Sequence, residues 1–126
     1  MGAIAAMGAV AAGGALGSLA RHGVNIVFAS VLARPAYATA AVNLLGSAAV
    51  GVLAGLIASG RLDMTPTTRA FVFVGVLGGF TTFSSLMLDA LTLAHTGERT
   101  LAIANVAGQV LLGLAAVFAG YYAATN

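Results

Sequence analysis

The sequence predicts an all-α membrane protein of four transmembrane helices, and three observations predict it. Sixty per cent of the 126 residues are hydrophobic and only 6% are charged, against roughly 25% charged in soluble domains. Mean hydropathy is +1.04. Uncharged apolar stretches run from Met1 to Ala20, Thr39 to Ser59, Ala70 to Leu88 and Thr100 to Tyr122. Each is close to the roughly 20 residues that a helix needs to cross the hydrocarbon core.

The first helix is expected to continue past Arg21 and His22 to about Leu32. No basic residue precedes Arg21, so the charged start of a signal peptide is missing and the segment reads as a retained membrane helix. Arg21 either anchors at the interface or faces a wet vestibule. Arg34-Pro35 separates helices one and two, because proline cannot continue a helix and restricts the residue before it. Between helices two and three, Thr65-Pro66 reads as an N-cap followed by proline at the first helical position. Thr96-Gly97-Glu98-Arg99 separates helices three and four. The expected helices are 3–32, 38–60, 66–94 and 99–123, in one domain over residues 1–126.

Charge says little about orientation. The loop between helices two and three carries Arg61 and Arg69, and the opposite side carries Arg34 and Arg99. This even split gives almost no positive-inside bias. Insertion in both orientations, and with it an antiparallel homodimer, is one consequence; orientation set by the insertion machinery is the other. A net charge of +2 is too small to suggest a nucleic-acid partner. With no cysteine, there is neither a disulfide framework nor a thiolate metal site. His22 and His95 are too far apart to form a helical ligand pair. No nucleophile–base pair is visible, so no enzyme is expected.

Small residues recur at helical spacing: Gly13 and Gly17; Ser47, Gly51, Gly55 and Ser59; Gly75 and Gly79. Such stripes let helix backbones approach closely in lipid. The long stripe on helix two suggests a subunit interface. Asn43 is in line with that stripe and so faces protein rather than lipid. Its amide offers two donors, for an interhelical hydrogen bond or for a passing anion. Asn105 and Gln109 lie one turn apart on helix four, at a similar depth. With Asp89 placed at the end of helix three, no carboxylate is expected within a span. A cation path usually wants buried carboxylates, so neutral donors suit an anion or a neutral solute.

Gly78-Gly79-Phe80-Thr81-Thr82-Phe83-Ser84-Ser85 lies within the third stretch. Glycine has the poorest helix propensity after proline, and Thr and Ser can bond back to their own backbone. Helix three is therefore expected to break at mid-membrane, or to stay intact with its hydroxyls bonded to preceding carbonyls. A break would free carbonyls at one half-end and N–H groups at the other, which bind cations and anions respectively. Phe80 and Phe83 add electropositive ring edges.

Three motifs together resemble the Fluc family of fluoride channels. They are Gly13-Gly14-Ala15-Leu16-Gly17-Ser18-Leu19-Ala20-Arg21, Val42-Asn43-Leu44-Leu45-Gly46 and Gly75-Val76-Leu77-Gly78-Gly79-Phe80-Thr81-Thr82-Phe83-Ser84. The resemblance covers nearly the whole chain. It implies a passive fluoride exporter in the bacterial plasma membrane, a dual-topology antiparallel homodimer with two pores along its interface. It makes Asn43 the pore asparagine, Phe83 the first phenylalanine whose edge meets fluoride, and Ser84 and Ser85 part of the hydroxyl lining. Gly78 and Thr81 would give backbone carbonyls to a central structural Na⁺. Arg21 matches a vestibule arginine, and Asp89 sits where a glutamate is usual. Three positions depart from the pattern: Leu86 replaces a second phenylalanine, Asn105 a tyrosine and Gln109 a serine. These departures suggest an alternative, a partner subunit of a heterodimeric fluoride channel. A small multidrug transporter is disfavoured, because helix one lacks a membrane-embedded carboxylate.

Overall fold

The computed structural model describes residues 2–32 and 34–126, and among them the only regular structure is helical. Helix α1 spans Ala3–Val31 and α2 Pro35–Ala58. The third span begins with α3, Pro66–Arg69, continues as a π-helical segment, Ala70–Leu77, and closes with the single turn α4, Gly78–Phe80. After a break at Thr81 and Thr82 it resumes as α5, Phe83–His95. Helix α6 is Arg99–Thr125. Among the described residues, four helices are long and apolar enough to cross a membrane: Ala3–Val31, Pro35–Ala58, Pro66–His95 and Arg99–Thr125.

Local chemistry explains the ends. Thr65 Oγ1 accepts the Thr68 N–H at 3.2 Å, with Pro66 opening the helix behind it; proline costs nothing where its missing N–H would be unpaired anyway. Gly60 and Gly97 follow α2 and α5 with φ of +73° and +87°, the left-handed conformation that glycine adopts without a Cβ penalty. Helix α2 starts at Pro35, three residues before its expected start, because Pro35 takes the first helical position behind an extended Arg34.

Two close-packed pairs make the bundle. Helix α1 lies along the π-helical segment and α4, α2 lies along α6, and α1 does not touch α6. Glycine makes both approaches possible. A Cβ on Gly79 would stand 2.7 Å from the Gly14 carbonyl oxygen, and one on Gly17 would run into the Val76 carbonyl. Across the other pair, Gly51 faces Val117, Gly55 faces Tyr121 and Gly120 faces Ala48. The stripe on helix two thus packs on α6 of the same chain, not on another subunit as the sequence suggested. Periodicity reports that a face is packed, and α6 had the small residues to meet it.

Gly78 and Gly79 are helical, with the break falling after them. Gly79 serves close packing against Gly14, and helix propensity is a weak prior that tertiary contact overrides. Asp89 also moves. It lies inside the third span, several residues before His95, so a carboxylate does stand within a span.

Candidate functional site

The break in the third span is held by one side chain. Thr81 and Thr82 are extended, with φ/ψ of −82°/158° and −153°/113°. Asn43 pairs with both backbone groups of Thr82: its Nδ2 donates to the Thr82 carbonyl at 3.1 Å, and the Thr82 N–H donates to its Oδ1 at 2.7 Å. This replaces the hydrogen bonds that an unbroken helix would make, as buried backbone groups require. The threonines reinforce it. Thr82 Oγ1 caps α5 by accepting the Ser85 N–H at 3.2 Å, and Thr81 Oγ1 donates to the Leu77 carbonyl at 2.9 Å.

The same bonds release two carbonyls. In a continuous helix the Thr82 N–H would serve Gly78 and the Ser85 N–H would serve Thr81. Here the first goes to Asn43 and the second to Thr82 Oγ1. The two carbonyls are hard, neutral oxygens at the C-terminal end of a helix, where the partial charge is negative. That chemistry fits a small hard cation.

Helix α6 adds a second tier. The other Nδ2 hydrogen of Asn43 reaches Gln109 Oε1 at 2.8 Å, and Gln109 Nε2 donates to Asn105 Oδ1 at 3.0 Å. Asn105 Nδ2 is buried without an acceptor, and so is Asp89 Oδ2 without a donor. Asn43, Gln109 and Asn105 are therefore joined in a hydrogen-bonded chain from α2 to α6.

Three cavities lie against α2 and α5. One of about 350 Å³ is lined by Asn43, Ser47, Thr81, Thr82, Phe83 and Leu86. A second, of about 430 Å³, gathers Asn25, Thr39, Ser85 and Asp89, with Arg34 at its wall. The third, about 240 Å³ between α2 and α6, includes Asn105, Gln109 and Tyr37. Arg34 lines this one too and makes an ion pair with Glu98 at 2.6 Å. That hydrogen bond and charge hold the guanidinium above its ordinary pKa.

The named residues divide in an unexpected way. Phe83 and Ser84 point out of the chain, Phe83 with 72% of its surface exposed. Leu86 is only 4% exposed and Gln109 only 7%. Leu86, three residues after Phe83, is buried, and it lines the same cavity as Phe83. Among the described residues Arg21 makes no hydrogen bond or ion pair, and the contacts at the break do not reach it. Thr82, Thr39 and Asn25 were missed as site residues. Thr82 carried a usable signal, a threonine three residues before a serine at the start of a helix. Asn25, one turn beyond Arg21 on α1, carried a weaker one.

Comparison with known proteins identifies the family. The family model described as CrcB-like protein, Camphor Resistance (CrcB), matches residues 8–121. A protein of Paracoccus denitrificans named fluoride-specific ion channel FluC is 47% identical over 112 residues, 88% of this chain and 87% of the relative. The protein of that name in Rhodospirillum centenum is 50% identical over 114 residues, 89% of each chain. Its counterpart in Elusimicrobium minutum is 44% identical over 117 residues, 91% of this chain and 90% of the relative. Matched across all four of its apolar spans, this multi-pass membrane protein belongs to the CrcB family.

Proposed function

We propose that the chain is a fluoride-selective ion channel through which cytoplasmic fluoride leaves the cell passively. Relatives of that name and near-identical length support the substrate. The observation that carries the reading is the outward face of the break. Asn43, the extended Thr81-Thr82 peptide and the start of α5 meet at an open cavity, and Phe83 stands beside it largely uncovered. A strongly hydrated anion crossing lipid needs donors in place of its water. Hydroxyls of Ser84 and Ser85 and the ring edge of Phe83 are such groups, and Asn43, whose amide hydrogens serve Thr82 and Gln109, holds the adjoining backbone in place.

A second copy in antiparallel orientation would cover Phe83 and complete a pore on each side of the interface. The released carbonyls of Gly78 and Thr81 from both copies would then meet at the centre and hold a structural Na⁺. That ion would supply a cross-link between the two broken helices and take no part in permeation. Asn105 and Gln109 would lie along the deeper wall of the pore, Leu86 would close its apolar side, and Arg21 would stand in the vestibule.

Reconstitution of the purified chain into liposomes tests the reading. An electrode should record rapid fluoride efflux, with chloride retained. Efflux of neither ion from folded, dimeric protein would overturn the homodimeric channel. The burial of Leu86, which leaves Phe83 as the sole aromatic edge at the cavity, favours a second reading as one half of a heterodimer. Fluoride efflux that appears only on co-expression with a paralogue would establish it.

A further inference from the structure

The cavity between α2 and α6 has a charged mouth and a largely apolar length. On α2 it is lined by Tyr37, Ala40 and Leu44, a different side of the helix from Asn43 and Ser47, which line the cavity at the break. Below Tyr37 the lining is apolar except for Asn105 and Gln109. The α6 wall runs from Leu101 to Leu112, about 16 Å at the α-helical rise. That is the depth of one leaflet, half of a hydrocarbon core roughly 30 Å thick. Gly108 lies in this wall, and a Cβ there meets nothing within 4 Å, so the groove is open along it. The close glycine contacts of α2 with α6, at Gly51, Gly55 and Gly120, all lie toward the other end of the pair.

Arg34 lines the mouth, with Glu98 as its ion-pair partner. Among the described residues this pair engages only Nη1 of the guanidinium and only Oε2 of the carboxylate. The remaining N–H groups and Oε1 are free, and side chains 40% and 39% exposed are within reach of a headgroup. A guanidinium beside a carboxylate is complementary to a phosphate beside an ammonium. Guanidinium forks match phosphate oxygens, and a primary ammonium brings several N–H donors to a carboxylate. A headgroup with a phosphate and no ammonium would leave Glu98 facing a like charge, which costs affinity. Tyr37, one turn further in and 49% exposed, stands where amphipathic rings settle between headgroups and chains.

We infer that this groove binds a phospholipid whose headgroup carries both a phosphate and a primary ammonium, as phosphatidylethanolamine does. The phosphate meets Arg34, the ammonium meets Glu98, and one acyl chain runs along Leu44, Leu101, Gly108 and Leu112. The chain fills a cavity of about 240 Å³ and joins α2 to α6 at the end where glycine packing does not. Nothing in this site depends on whether the protein conducts fluoride.

Native mass spectrometry of the detergent-purified full chain tests this, with an equimolar mixture of phosphatidylethanolamine, phosphatidylcholine and phosphatidylglycerol of identical acyl chains. Phosphatidylethanolamine should be retained in preference to both, because choline has no N–H to give and glycerol no positive charge. In Glu98→Gln its preference over phosphatidylcholine should fall about fivefold, the scale of one hydrogen bond to an exposed charge. Gly108→Leu puts a side chain into the open groove and should lose the lipid. If that variant does not elute as folded protein, a phosphatidylethanolamine with a photoreactive acyl chain, added to the wild-type chain, locates the site instead. It should label α6 between Leu101 and Leu112. Equal retention of the three lipids, phosphatidylglycerol retained above phosphatidylethanolamine, or labelling confined to α1 would each overturn the inference.

Discussion

The two halves of the third span are held by opposite means. The N-terminal half, from the π-helical segment to α4, lies against α1 through backbone contacts at Gly13, Gly17, Gly75 and Gly79. The C-terminal half begins with a peptide clasped by Asn43 and a threonine cap, and it leans on α6. The first half tolerates no added carbon, and the second tolerates no lost amide. Lipid offers no hydrophobic drive between helices. Close van der Waals packing and satisfied polar groups are the two means that remain, and this span uses one on each side of its break.

Removing the clasp should have the largest effect. Asn43→Leu keeps the volume and deletes the pairing with Thr82 and the link to Gln109. It leaves a peptide N–H and a carbonyl unpaired, each costing about 1–3 kcal/mol when buried. Thermal melting in detergent should drop clearly, and fluoride efflux should fall roughly a hundredfold or more, the kinetic equivalent of about 2.7 kcal/mol. Efflux equal to wild type would remove Asn43 from the path and relocate whatever holds the break.

The glycine half is tested by adding one methyl group. Gly17→Ala would drive its Cβ into the Val76 carbonyl, so α1 must move away from the third span. Overpacking of this kind costs about 1–3 kcal/mol. Gly23→Ala on the same helix is the control, because a Cβ there meets nothing within 4 Å. A lower melting midpoint for Gly17→Ala alone would support the division. Equal behaviour of the two variants would show that α1 is free to slide, and that the glycine half is not the rigid one.

How much of this was legible in the sequence follows the same division. The four spans, the start at Pro66, the stripes and the inward face of Asn43 are all periodic or local signals, and such signals survive without a structure. The polar cluster over residues 78–85 was singled out, but not the point of interruption within it, because propensity marks where a helix is weak, not where a neighbour offers to replace its bonds. Asn43 offers them at Thr82, 39 positions away in the chain. The partner of the helix-two stripe was misassigned for a related reason. A stripe has no address, and only the fold shows that Val117 and Tyr121 stand opposite it. The amide chain was seen as three polar residues at similar depth. Its direction was invisible, since it depends on which atoms of Asn43 face a backbone that the sequence alone does not position.

The smallest effect should come from the far end of the polar half. Arg34 and Glu98 join the loop after α1 to the loop before α6, with side chains 40% and 39% exposed. An exposed pair of this kind contributes little and weakens with salt. Arg34→Gln should therefore lower the melting midpoint by little, and the difference should vanish at high ionic strength. If the polar half is anchored at the break, the loop pair only trims its edge, and Asn43→Leu must far outweigh Arg34→Gln in the same melting assay. A larger loss for Arg34→Gln would shift the anchor of α5 and α6 to the loops. The clasp at Thr82 would then be a consequence of the packing around it, not its cause.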